Sequence, residues 1–137
     1  MTNLEHYAAA RAAGRLNLVP FVSVDHMMAL LRAEGVGRAL AGIAAHVEAD
    51  FLRWPDFEKT PRLASHSLEG VIERMPTTDG RDYAFKYVNG HPKNLRDGLQ
   101  TVTAFGVLAD VATGYPSLLS EMTILTALRT AAVSALA

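Results

Sequence analysis

The run Thr77-Thr78-Asp79-Gly80-Arg81-Asp82-Tyr83-Ala84-Phe85-Lys86-Tyr87-Val88-Asn89-Gly90-His91-Pro92 reads as turn, strand, turn. Thr77–Gly80 carries hairpin chemistry, because Asp accepts backbone N–H groups and Gly tolerates positive φ. Tyr83–Val88 is β-branched and aromatic, and Asn89-Gly90-His91-Pro92 closes it. Outward from there, Val71–Met75 lies upstream, and Leu99–Asp110 and Tyr115–Leu119 lie downstream. The last two are separated by Thr113-Gly114-Tyr115-Pro116, a second hairpin signal. Strands joined by such short turns predict a mostly antiparallel sheet.

The period upstream is helical. Ser23 and Asp25 supply N-cap chemistry for Met27–Glu34, and Gly35 stops it. Val36, Leu40, Ile43, Val47 and Phe51 then mark one face of a helix from about Val36 to Trp54, which Pro55 closes. Two N-terminal helices packed on one face of the sheet give an α+β fold. Residues 1–20 are polar and Ala-rich and read as an arm or short helix, leaving 21–137 as one domain. Glu121–Ala137 reads as a final Ala-rich helix. It ends without Gly, Asn or a basic last turn, so the expectation is that it packs on a partner chain or leads into more protein.

The chain has 137 residues, with 13 Lys+Arg against 14 Asp+Glu. That balance argues against nucleic-acid or anionic-membrane partners, which select a basic excess. No cysteine is present, which excludes disulfides, thiol nucleophiles and thiolate metal sites. No apolar run approaches the roughly 18 residues of a membrane span, and the first fifteen residues lack a signal peptide's pattern. A cytoplasmic location is the expectation.

Three cations and one acid stand out. Lys86 shares a strand face with Ala84 and Val88, opposite Tyr83, Phe85 and Tyr87. It is either an edge lysine whose amine reaches water or a desolvated cation awaiting an anion. Arg129 is the only charge between Met122 and Ala137; buried, it would hold a carboxylate or phosphate, or one of the chain's own acids. Arg62 precedes Ser65-His66-Ser67 and alone would be a surface arginine. Glu73, between Ile72 and Arg74, is a candidate general base or amine ligand, or a cross-strand partner of an arginine. Gly35-Val36-Gly37-Arg38-Ala39-Leu40 is no dinucleotide fingerprint, since it follows a helix and has Leu40 in place of the third glycine. His6, His26, His46 and His66 are evenly spaced but differently flanked, so no metal site is expected.

Lys86-Tyr87-Val88-Asn89-Gly90-His91-Pro92, Gly98-Leu99-Gln100-Thr101-Val102, Leu108-Ala109-Asp110, Thr113-Gly114-Tyr115-Pro116 and Leu118-Leu119-Ser120-Glu121-Met122-Thr123 resemble the ornithine cyclodeaminase/mu-crystallin family. So does Thr126-Ala127-Leu128-Arg129-Thr130-Ala131-Ala132, and the likeness runs over about residues 20–137. The Asn89–Pro92 signature and Arg62-Leu63-Ala64-Ser65-His66-Ser67 look more like the ornithine cyclodeaminase branch than the ketimine-reductase or alanine-dehydrogenase branches. The resemblance implies an N-terminal substrate-binding and dimerisation domain followed by an NAD-binding Rossmann domain. It further implies conversion of L-ornithine to L-proline and ammonia: hydride leaves the α-carbon, the δ-amine attacks the imine, ammonia departs and hydride returns. By similarity, Arg62, Lys86 and Arg129 hold the substrate α-carboxylate, and Lys86 belongs to the catalytic set. Thr101 and Arg129 touch the cofactor phosphates, and Glu73 lies near the substrate amine or a catalytic water. The Rossmann fingerprint, its ribose-binding acid and the catalytic aspartate have no counterpart here and are expected beyond Ala137, so this chain alone is expected to be inactive. A homodimer through the sheet is implied as well. A non-catalytic, dimerising ligand-binding module and a ketimine reductase or amino-acid dehydrogenase are the alternatives.

Overall fold

Ser23 opens the first helix, α1 (Val24–Glu34), in the computed structural model, which describes residues 12–13 and 18–137. Its Oγ accepts the His26 N–H at 3.3 Å, and His26 Nδ1 accepts the Ser23 N–H at 3.2 Å, a reciprocal capping box with histidine in the usual Glu/Gln place. Gly35 ends α1 at φ 81°, a conformation a side chain would strain, and its N–H donates to the Leu31 carbonyl at 3.0 Å. The second helix, α2 (Val36–Leu52), starts at once and stops two residues short of Trp54. Pro55 there sits in a short 3₁₀ turn, Trp54–Asp56. The expected arm falls mostly outside the described residues.

Seven strands form one sheet: β1 (Phe21–Val22), β2 (Glu58–Lys59), β3 (Leu63–His66), β4 (Val71–Thr78), β5 (Asp82–Gly90), β6 (Val102–Asp110) and β7 (Pro116–Glu121). Their order is β1-β7-β6-β5-β4-β2, with β3 also on β4. Every pairing is antiparallel except β1 with β7. Both predicted hairpins form. At the β4–β5 turn, Asp79 Oδ1 accepts the N–H groups of Arg81 (3.1 Å) and Asp82 (2.9 Å), with Gly80 at φ 85°. These bonds, together with the Arg53 guanidinium 3.1 Å from Asp79 Oδ2, hold the Asp79 carboxyl down at about 2. At the β6–β7 turn, Asp110 Oδ1 accepts the Thr113 N–H at 2.8 Å.

One strand boundary differs from expectation. β6 begins at Val102, not Leu99, because the segment before it folds back on a 3₁₀ turn, Pro92–Asp97. The Leu99 N–H donates to the Asn94 carbonyl at 2.9 Å, and Asn94 Nδ2 to the Gln100 carbonyl at 3.0 Å.

Register pairs Glu73 with Val88, Met75 with Lys86, Lys86 with Gly106 and Val88 with Ala104, which sets these residues on one sheet face. The last helix, α3 (Thr123–Leu136), crosses this face. Val88, Ala104 and Ala132 are buried there. α3 in turn packs chiefly against α2, so the helical layer meets the sheet through its last member. On the other face Tyr87 stacks on Phe105, ring centroids 4.9 Å apart. An open hollow of about 620 Å³ lies by Tyr83, Phe85, Val107 and Pro116.

Candidate functional site: cations over the sheet

Lys86 stands mid-way along β5, half-buried, on the face that α3 covers. β4 brings Glu73 diagonally beside it, and Arg62, just ahead of β3, donates from Nη1 to both Glu73 oxygens, at 3.3 and 3.2 Å. Arg129, on α3, lies close enough for its charge to act on Lys86. The Lys86 amine is held below an ordinary lysine's pKa, first by burial and then by the positive fields of Arg129 and Arg62, with Glu73 pulling the other way. The four side chains therefore share one electrostatic neighbourhood. Among the described residues neither Lys86 nor Arg129 has an ion pair or a hydrogen-bonded side-chain partner.

Three cations against one carboxylate leave an excess of positive charge over an apolar sheet face. Such an arrangement suits a small organic anion, which would supply the charge the fold withholds. Arg129 is exposed and so corrects the expectation of a buried guanidinium. Glu73 takes the arginine partner that strand chemistry favours, which partly neutralises Arg62 and leaves Lys86 and Arg129 as the uncommitted pair.

Beside Lys86 lies an apolar cavity of about 380 Å³ lined by Met75, Gly106, Met122 and Leu125 among others. Gly106 leaves room there for the Met122 side chain: a Cβ would displace the Met122 thioether and stand 3.1 Å from the Phe85 carbonyl. Thr101 is placed apart from the four, just past the Gly90–Val102 pair that ends the β5–β6 ladder. It is the one described threonine whose hydroxyl has no hydrogen-bond partner. An unengaged hydroxyl and an exposed, unpaired guanidinium are donor types that anionic oxygens take.

Sequence reasoning overlooked Glu121 by making it the first residue of the helix. It ends β7 instead, 6% exposed, and its Oε2 accepts the N–H groups of Thr123 (2.9 Å) and Ile124 (3.2 Å) that open α3. Its Oε1 is buried without a partner. An acid just ahead of a helical run was the signal available. Thr123 Oγ1 accepts the Ala104 N–H at 3.0 Å, so the start of the Arg129 helix is pinned to β6.

Residues 24–137 match the model of the ornithine cyclodeaminase/mu-crystallin family. A curated ornithine cyclodeaminase of Brucella abortus is 73% identical over 122 residues, which cover 89% of this chain and 34% of that protein. Among solved structures, a lysine cyclodeaminase described with L-lysine, L-ornithine and L-2,4-diaminobutyric acid superposes with TM-score 0.69 at 26% identity, over 85% of this chain and 36% of that one. An archaeal alanine dehydrogenase dimer with bound NAD shares the fold, with TM-score 0.68 at 23% identity, over 84% of this chain and 34% of that one. The chain thus spans about a third of the length of the relatives it matches. With that match over residues 24–137, and the fold in common with solved relatives, the chain belongs to the ornithine cyclodeaminase/mu-crystallin family.

Proposed function

We propose that this chain is the N-terminal, substrate-binding part of an ornithine cyclodeaminase, which converts L-ornithine to L-proline and ammonia with catalytic NAD+ in the cytoplasm. The observation that carries the proposal is the pair of cations without acid partners, Lys86 on β5 and Arg129 on α3, close enough for the charge of Arg129 to act on Lys86. The amino-acid carboxylate supplies their missing charge. Arg62 completes the clamp from the side while holding Glu73, and the Glu73 carboxylate stands ready to accept a proton from the substrate amine or a water beside it. Thr101 and Arg129 hold the cofactor phosphates; the cofactor, when bound, supplies the hydride acceptor and donor. The 73% identity to the Brucella abortus protein favours ornithine over the substrates of the reductase and dehydrogenase relatives.

In the full-length protein, Lys86→Ala lowers kcat/KM for L-ornithine about 100-fold, the size of a lost charge-assisted hydrogen bond to a carboxylate. Unchanged kcat/KM would end the clamp assignment. The residues of this chain by themselves release no ammonia from ornithine. A second reading, a dimerising ligand-binding module without catalysis, is favoured by the uncovered aromatic face around Tyr87 and Phe105. Ammonia release by the full-length protein separates the two.

A further inference from the structure

Asn89 is 9% exposed, and its side chain is committed on both sides of Thr101. Its Oδ1 accepts from the Thr103 N–H at 2.6 Å and from the Thr103 hydroxyl. A backbone N–H can only donate, so the amide orientation is settled and Nδ2 faces His91 Nδ1, 3.2 Å away. That nitrogen must then accept, and the imidazole proton sits on Nε2. The backbone of the same histidine reaches the other flank, for the His91 N–H donates to the Thr101 carbonyl at 2.8 Å. Behind it, a Cβ on Gly70 would clash with the Gly90 carbonyl and with His91, so β4 presses closely on this corner.

We propose that Asn89 is a positioning residue that presents the Thr101 hydroxyl to a cofactor phosphate. The proposal rests on the reading that Thr101 meets that phosphate. Thr101 lies beyond the last ladder pair, held there by the bond from the His91 N–H to its carbonyl, yet its own hydroxyl must stay unengaged to serve a ligand. Asn89 resolves this conflict by gripping Thr103 on one side and His91, hence the Thr101 carbonyl, on the other. The site is thereby preorganised through its neighbours.

The test uses the cofactor-free full-length protein, titrated with NAD+ by calorimetry, with KM for ornithine measured at saturating NAD+. Thr101→Val is the reference. Asn89→Ala is expected to weaken NAD+ binding about tenfold, as a small misplacement of a binding group does, with KM for ornithine unchanged. Thr103→Val removes one of the two bonds to Asn89 at an exposed position and shifts NAD+ affinity the same way by less. It decides the matter should Asn89→Ala fail to fold. Loss of NAD+ affinity in Thr101→Val but in neither of the others overturns the positioning role. Equal weakening toward NAD+ and ornithine in Asn89→Ala assigns it a general structural role and also overturns the proposal. An unchanged Thr101→Val removes the underlying reading instead.

Discussion

Lys86 is a cation that the fold leaves without a counterion, and this has a pH signature. Its pKa is lowered by burial and by Arg129 and Arg62, so the charged form is disfavoured while the site is empty. A carboxylate is held by the charged form. Affinity is therefore present while the ligand is ionised and Lys86 charged, and is lost as pH rises through the lowered Lys86 pKa, earlier on the alkaline side than for an ordinary lysine. Titrating the full-length protein with a short aliphatic monocarboxylate, which has no amine of its own to titrate, should show that early alkaline loss. Lys86→Met should bind weakly at every pH and lack that limb. A wild-type affinity that stays flat up to the ordinary lysine range would contradict the shift.

Two glycines leave no free room for a Cβ, and they differ in what would have to move. At Gly106, between β5 and β7, a Cβ meets the Met122 thioether, a flexible group, with the Phe85 carbonyl at 3.1 Å. At Gly70, just before β4, it meets the Gly90 carbonyl and the His91 backbone and ring. Side chains re-pack, whereas a strand backbone shifts only with its ladder. Gly106→Ala is expected to cost about 1 kcal/mol and Gly70→Ala about 3 kcal/mol, both read from urea midpoints. The reverse ranking would mean that Met122 is wedged more tightly than the β4–β5 corner. Gly70→Ala should also weaken NAD+ binding, because it disturbs His91.

Only Met27, Val88, Ala104 and Ala132 are buried apolar residues among those described, while Leu52, Trp54, Tyr83 and Phe105 are exposed. In a chain that spans about a third of its relatives' length, this uncovered apolar surface is open both to the rest of the protein and to a second copy. The full-length protein is expected to scatter light as a dimer joined through the face bearing the Tyr87–Phe105 stack. Phe105→Asp should shift it to monomer with its circular dichroism retained, and a dimer that survives the substitution would place the interface elsewhere.

Hairpins and helix starts were legible because their chemistry is local: Asp79 reaches N–H groups at Arg81 and Asp82, and Ser23 reaches His26. The two-residue β1 escaped notice, since Phe21 and Val22 carry too little pattern to announce a parallel pairing with β7. The site divided along the same line. Residue chemistry singled out Arg62, Glu73, Lys86 and Arg129 as out of place in a bland domain, and the family resemblance added Thr101, which the structure places apart from those four. Their gathering depends on the register of β4 against β5 and on where α3 crosses the sheet, neither of which any local stretch encodes. The commitments of Asn89 and Glu121, and the pairing of Glu73 with Arg62 rather than Lys86, likewise belong to the tertiary structure. Burial and counterion choice are properties of the space between elements, and that space exists only once the sheet and helices have closed on one another.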